Sequence, residues 1–539
     1  MIFWRFSLIS ILLFFSTPSL AFLGPEPNRK NLQETLNGAV TYLQARQILD
    51  RPGSQDCRFD YSGGNGCSGS SINKLGEWAN DIYPLSFTSA IYDPETTNES
   101  TIIPDSNMFV TSAILYPLHW VDDSQGKLKM MRKTALGSIK TYRKGAAFSF
   151  WPAYNHVKTG HSVIGPVNLR FDAYDISDSF VTRLASGALG LVIPWVEDWM
   201  NQLMVKEENP HGFASYLNVP NDSDDTSVAM ALLAVQAKKE GSSSQLDLGP
   251  LHEISRYRDV NRKKHDPRDT WSPKESGAFL TWMKNENEPL FADPETGVMP
   301  MGVNNVDCVV NANVVFSLAL NGQTKAPGYD EALNYVADVA LSGQWLKGCA
   351  FYYPQVYTFA YSASRAYRDG GARSPKMEEA MDQLMKDILK EQGFRGNWSI
   401  SPDNSSDYAT AKALVTLINL GQNRAMRLGL QDTYEESLKD GFAFLLEHQK
   451  SISLGKGNLQ SEGFYWRPGL FFSATDARLG TWRSTAVTNA TVVEAIAKYL
   501  SDYHLQDGNQ LLFAPQTLTF KKPTPSSFPR QSDKDREDP

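Results

Sequence analysis

The sequence predicts an all-α protein, a solenoid or closed barrel of helical hairpins, and three observations carry this. Amphipathic runs with helical spacing follow one another from residue 30 onward, among them LQETLNGAVTYLQARQ, YDEALNYVADVAL, KMEEAMDQLMKDILKEQG and YEESLKDGFAFLLEHQ. Stretches that alternate apolar and polar residues, as a half-buried strand would, are scarce. Several of the helices end near glycine, cross an aromatic or polar loop and lead into a second, more apolar and Ala-rich helix.

Lined up, the second helices begin with PDSNMFVTSAIL from Pro104, PNDSDDTSVAMALL from Pro220, VNNVDCVVNANVVFSL from Val303, SPDNSSDYATAKALVTL from Ser401 and TWRSTAVTNATVVEAI from Thr481. A weak internal repeat of hairpins describes them economically. Stacked hairpins bury their Ala-rich members and leave the charged ones outside, giving a solenoid or a closed α/α toroid with long connecting loops. Asp, Ser, Asn or Thr at these starts would cap the free amides of a first helical turn. If the inner helices run parallel, the caps gather at one mouth, and a site belongs there. The charged segment 238–273 interrupts the hairpins and reads as an insertion over a rim, or as linker.

The ends of the chain read differently. MIFWRFSLISILLFFSTPSLAFLG has a basic residue at Arg5, an apolar run from Leu8 to Phe15 and an S-L-A pattern ending at Ala21. That is the layout of a secretory signal peptide, 1–21, and it implies a secreted, periplasmic or lumenal protein. The helical barrel, one or two joined, is expected over 22–512, and a Pro-, Ser- and charge-rich disordered tail over 513–539. Four cysteines in an exported chain suggest disulfides, paired from sequence proximity as Cys57 with Cys67 and Cys308 with Cys349. A net charge of −8, with no basic stripe, argues against nucleic acid as a partner.

One hairpin joint, QGFRGNW at Gln392 to Trp398, fits Q-x-x-x-G-x-W, and GFASY at Gly212 and GFYW at Gly463 are decayed versions of it. It resembles the QW repeat of the triterpene cyclases. Together with D-S-D-D-T at Asp222 to Thr226, the chain resembles the class II terpene cyclase and squalene-hopene cyclase superfamily, whose signature is D-x-D-D. The resemblance implies an α/α toroid, an enzyme that starts cyclisation of a hydrophobic isoprenoid-like molecule by protonating it, and no cofactor or metal. A peripheral membrane contact would suit such a substrate. It further implies Asp224 as the general acid, with Asp222 and Asp225 polarising it and Thr226 in the same network.

The chemistry asks for such a cluster on its own account. Protonating an isolated alkene or epoxide needs a carboxyl group that stays protonated yet gives its proton away. Burial and a neighbouring carboxylate keep one group neutral, while hydrogen bonds to the anion left behind make donation feasible. The cations that follow are stabilised by aromatic faces. Trp151, and Tyr353, Tyr357 and Tyr361 on one face of a helix, are the candidate substrate-binding residues, with Asp307 at another inner-helix start. Phe148, Phe150, Trp271, Trp466 and Trp482 are further aromatics at the joints. As a bland alternative, the acids cap a helix and the aromatics fill a core.

Other signals carry less. GNGCSG at Gly64 to Gly69 matches G-x-G-x-x-G but follows no strand. Asp307 and Cys308 are adjacent, unlike the spaced ligands of the zinc prenyltransferases. Asp122 and Asp123 lack the third acid of D-D-x-x-D. His156 and His161, and Asp172, Asp175 and Asp178 in RFDAYDISDSF, sit near a mouth or cap a helix. Two other functions stay open: a secreted toroid glycan hydrolase or lyase pairing Asp224 with Asp105, Asp307 or Asp407, and a non-catalytic lipid- or protein-binding toroid.

Overall fold

The computed structural model describes residues 25–48, 76–84, 103–123, 126, 128–151, 153–155, 162–164, 219–263, 274–284, 304–399, 406–454, 461–473, 480–505 and 511–513. The signal segment, the Cys57–Cys67 pair, Trp271, His156 and His161, the acids of RFDAYDISDSF and the tail from 514 lie outside the described residues.

The chain alternates two kinds of helix. One kind is amphipathic: α1 (Arg29–Arg46), α3 (Lys129–Thr141), α5 (Gly249–Ile254), α7 (Tyr329–Leu341), α9 (Pro375–Lys390) and α12 (Gln431–Glu447). Helix α9, for example, buries Met377, Ala380, Met381, Leu384, Met385 and Ile388, a stripe at steps of three and four. The other kind is buried nearly all round: α2 (Met108–Leu118), α4 (Ser223–Lys239), α6 (Cys308–Leu320), α8 (Tyr357–Arg368), α10 (Ser406–Leu420) and α13 (Thr485–Asp502). In α10 every residue from Asp407 to Leu420 is buried. A short α11 (Gln422–Arg427) links α10 to α12.

The buried helices close on themselves. Helix α2 packs against α4, α4 against α6, α6 against α8, α8 against α10, α10 against α13, and α13 returns to α2. The amphipathic helices lie behind them, α1 on α13, α3 on α2, α5 on α4, α7 on α6, α12 on α10, with α9 beside α7. The inner helices run in one direction. Near their amino-termini Phe109 meets Tyr353, which precedes α8, at 5.9 Å between ring centres, and Asp307 accepts a bond from the Phe351 amide at 2.6 Å. At the carboxyl ends Lys238 donates to the Leu320 carbonyl, Lys239 to that of His119, and Arg368 to that of Ile418.

The five helix starts expected from the sequence correspond to α2, α4, α6, α10 and α13. A further inner helix, α8, was not among them, because Val356 precedes it in place of a capping Asp, Asn, Ser or Thr. Its first amides turn to Gln355 instead. Asn107, Asp222 and Asp307 cap their helices as expected, each accepting from an amide two or three residues on.

The glutamine–tryptophan joint fastens the end of an outer helix to the next stretch of chain. The Trp398 indole donates to the Ile388 carbonyl at 2.8 Å, near the end of α9, and Gln392 donates to the carbonyls of Gly396 and Ser437, both at 2.9 Å. Trp466 repeats the bond to Leu445 of α12, and Trp78 repeats it to Leu43 of α1. The Trp78 joint even keeps the glutamine, Gln47, which donates to the carbonyls of Gly76 and Met131. The long segment between Gln47 and Gly76 hides this second copy from a motif of fixed spacing.

The all-α expectation needs one amendment. The class stands as mostly helical, but loops at the amino-terminal mouth add an antiparallel sheet of β1 (Asn80–Pro84), β2 (Ile103–Asp105), β3 (Gly469–Ser473) and β4 (Gly480–Ser484), in the order β2-β1-β4-β3. Strands of three to five residues are too short for a period-two pattern to register.

Gly396 has φ +79°, and a Cβ there would stand 2.4 Å from the Asp440 carbonyl oxygen, whereas Gly429, with φ +69°, faces open space. Both replacements by alanine incur the left-handed penalty of about 1–2 kcal/mol. Gly396→Ala adds the backbone clash, so urea denaturation should show it as clearly the more destabilised of the two variants.

Candidate active site

The amino-terminal turns of the inner helices repeat one piece of construction. Four residues after the cap, or at the matching place, a side chain accepts a backbone amide from the segment before its helix: Thr226 from Phe148 at 3.1 Å, Asn311 from Phe279 at 2.9 Å, Thr410 from Trp398 at 3.1 Å and Thr488 from Gly469 at 2.9 Å. Thr226 is therefore scaffold. It was expected in the acid network, and its hydroxyl is instead bonded to Phe148.

Asp222 is scaffold in part. It caps α4, accepting from the Asp225 amide at 2.6 Å. Burial pushes its carboxyl up to about 7, against the bond from Asp225. Neither oxygen of Asp225 receives a donor, so the bond open to it is the one it makes as an acid, giving its own proton to Asp222. Burial first, then the Asp222 charge, hold Asp225 far above the usual carboxylate range. The two form a carboxyl–carboxylate pair turned toward the scaffold.

Asp224 is different. It lies two residues after the cap, at the position that Phe109 holds in α2 and Tyr408 matches in α10, and both of those side chains line the central cavity. Its Oδ1 accepts the Asn313 amide at 2.7 Å, and its Oδ2 bonds the Tyr353 hydroxyl. Asn313 in turn accepts from Arg365 at 2.6 Å, so acid and guanidinium are joined through one amide. Burial raises the Asp224 pKa, and the bonds from Tyr353 and Asn313, with the Arg365 charge, work against that rise. Asp224 thus has what Asp225 lacks: groups that receive the anion when its proton leaves.

The cavity runs down the inside of the inner helices. Side chains fill most of it and leave a cavity of only about 50 Å³. Its wall includes Phe109, Tyr116, Phe316, Tyr353, Tyr361, Tyr408 and Phe471, together with Val228, Ala231 and Leu232. Arg365 and Lys412 are the cationic side chains in it. Arg365 is stacked within 5.0 Å of the Tyr116, Phe316 and Tyr361 rings, with no carboxylate in ion-pair range among the described residues. Below it, Lys498 is bound by Asp369 at 2.7 Å and lies 2.9 Å from Glu494, forming a fully buried polar floor.

An aromatic cluster roofs the mouth. Phe150 stands 5.3 Å from Phe472 and 4.8 Å from Trp151, and Phe472 stands 5.1 Å from Trp482 and 5.9 Å from both Tyr352 and Tyr353. The disulfide Cys308–Cys349, present as expected, ties the first residue of α6 to the loop that carries Tyr352 and Tyr353.

Of the expected substrate-binding residues, Tyr353 and Tyr361 line the cavity and three others do not. Trp151 belongs to the roof, its indole donating to Asp105 at 3.1 Å. Tyr357 turns away and packs against Trp345 at 5.9 Å. Tyr353 precedes α8, so the three tyrosines do not form one helical face. Asp307 is consumed as a cap and clamp, its oxygens taken by the amides of Val309, Val310 and Phe351. Asn313, Arg365 and Lys412 were missed. Asn313 lies six residues after its cap and was readable as inward-facing, but nothing in the sequence linked it to Asp224.

Among the described residues no group of three or more His, Cys, Asp and Glu is arranged to hold a metal ion. No family model matches the chain, and no curated protein matches it. Among solved structures it is similar to an arginine-to-alanine variant of the type II terpene cyclase MstE from Scytonema, in complex with the substrate geranylgeranyl dihydroxybenzoate, at 14% identity and TM-score 0.44 over 87% of this chain and 97% of that one. It is also similar to a protein from Actinoplanes, at 12% identity and TM-score 0.44 over 87% of this chain and 99% of that one.

The Asp222–Asp225 pair fixes the sign of a pH dependence. A carboxyl whose folded pKa exceeds its unfolded value stabilises fully below the unfolded value, near 4, and that contribution is lost as pH rises toward the folded one. Asp225→Asn keeps the neutral shape and removes the titration. Thermal or urea denaturation between pH 5 and pH 8 should show the wild type losing up to about 1.4 kcal/mol per pH unit relative to the variant.

Proposed function

We propose that the protein is a terpene cyclase-like enzyme, an α/α toroid with six inner helices among the described residues, that starts cyclisation of an isoprenoid by proton transfer from Asp224. The observation that carries this is the environment of Asp224: a buried carboxyl group beside an aromatic-lined cavity, with Asn313 and Tyr353 on its oxygens and Arg365 behind Asn313.

The electrostatics suit the first step. Burial favours the protonated form of Asp224, and the two bonds plus the guanidinium would stabilise the carboxylate once the proton has gone. The Asp222–Asp225 pair stands behind it, and the Asp224 charge adds to the burial that raises Asp222, so the cluster resists holding several negative charges at once. The resulting cation would meet the faces of Phe109, Tyr408 and Phe471 instead of a second free carboxylate. Arg365 is the anionic-group partner such a cavity offers, and a substrate of C15 size or longer would have to displace side chains, since the present opening is narrow.

Paired-carboxylate glycan chemistry is less well supported. Asp105 is bonded by Asn107 and Trp151, Asp307 by three amides, and Asp407 by His448 and the Arg467 amide, so each candidate second acid is already engaged in the scaffold. None of the three lines the cavity. Asp224 is not in the cavity wall either, but it is hydrogen-bonded to two residues that are, Asn313 and Tyr353.

Incubation of the purified protein with a panel running from neutral linear isoprenoids to prenyl diphosphates, read by gas chromatography and mass spectrometry, tests the assignment. A cyclised product is expected from the wild type. Asp224→Asn should lower its formation by about a hundredfold or more, the contribution of a positioned general acid. Product formation unchanged in Asp224→Asn would remove Asp224 from the mechanism.

A further inference from the structure

We propose that Lys412 is a carbonyl-binding amine, holding an apolar aldehyde or ketone as an imine inside the cavity. The ground for this is a contrast between two buried lysines. Lys498 satisfies its ammonium group on Asp369 at 2.7 Å and Asn419 at 2.8 Å, with Glu494 at 2.9 Å. Lys412, on the facing helix α10 and equally withdrawn from solvent, has no hydrogen-bond acceptor and no carboxylate in ion-pair range among the described residues. Its Nζ lies over two rings, 4.6 Å from the centre of Tyr361 and 4.7 Å from that of Tyr408, and its side chain forms part of the cavity wall.

A lysine kept for structure would be expected to find acceptors for its three donors, because an unpaired buried ammonium is costly. Here the site favours the neutral amine. Burial, followed by the charge of Arg365, which also lies against the Tyr361 ring, lowers the Lys412 pKa far below that of a solvated lysine, and Glu494 only partly offsets this. Desolvation beside a second cation is the arrangement that makes a lysine nucleophilic. The walls around it are aromatic and aliphatic, with Ser112, Thr358, Ser362 and Thr491 as small polar groups, which fits a carbonyl on an apolar chain better than a sugar or a peptide.

The step balances without a redox partner. The amine nitrogen adds to the carbonyl carbon as the C=O π pair moves to oxygen. The carbinolamine then loses water, the two hydrogens of the nitrogen leaving with that oxygen, and a C=N bond remains. The Tyr361 hydroxyl, held by Glu494 at 2.7 Å, belongs to the ring that carries the amine. The proposal rests on the reading of the cavity as a ligand site, but it does not need the proton donor.

Farnesal is a suitable probe. The purified protein is incubated with it and reduced with sodium cyanoborohydride, which turns an imine into a stable secondary amine, and intact and peptide masses are measured. One farnesyl group per chain, located on Lys412, is expected, with the label lost in both Lys412→Met and Lys412→Arg and kept in Asp224→Asn. Label spread over other lysines, label unchanged in Lys412→Met, or no label on Lys412 would overturn the proposal. Mapping on the wild-type chain decides this even if a variant misfolds. Labelled Lys412 without any cyclised product would uphold this inference and count against the cyclase. A cyclised product without the label would do the reverse.

Discussion

The inner helices turn their amino-termini to the same end, and the rest of the structure depends on that convergence. Each terminus carries about half a positive charge and a set of unpaired amides. Gathered in a ring and buried, they require acceptors, and the chain supplies Asn107, Asp222 and Asp307 as side-chain caps, with Asp407 in the first turn of α10. Acids at this mouth are therefore ordinary. What sets α4 apart is that two further acids come after the cap, one turned to the cap itself and the other toward Asn313 and Tyr353.

The same constraint decides how much of the molecule was legible. Caps, Ala-rich inner helices and amphipathic outer ones arise from local chemistry, so the starts of α2, α4, α6, α10 and α13 could be read, and Cys308 could be paired with Cys349. Helix α8 escaped because Gln355 does the work of a cap from outside the usual residue set. The Gln47–Trp78 joint escaped because its halves are separated by a long segment. Thr226 looked chemical in D-S-D-D-T, yet its counterparts Asn311, Thr410 and Thr488 identify it as repeat scaffold.

The cavity itself was the least readable part. Asp224, Asn313, Tyr353 and Arg365 come from three hairpins, and their connection depends on the closure of the ring, which no local pattern encodes. Aromatic residues were recognised as a set, but assigning individual ones to roof, wall or core needs the helix rotations. Trp151 and Tyr357 went to roof and outer packing for that reason. Lys412 reads in sequence as the one basic residue of a largely apolar helix, and only the fold reveals that it faces inward without an acceptor.

Beside this cavity an acid is joined to a guanidinium in its wall through one amide, above a floor where Lys498, Asp369 and Glu494 neutralise one another. The central claim is that chemistry begins with a proton from Asp224. Running the reaction in deuterium oxide tests it most directly, because the carboxyl proton exchanges with solvent before it is delivered. The account predicts one solvent deuterium on a carbon of each cyclised product, lost together with the product in Asp224→Asn. A cyclised product that carries no solvent deuterium would show that the reaction starts by ionisation of a leaving group, and would contradict the account.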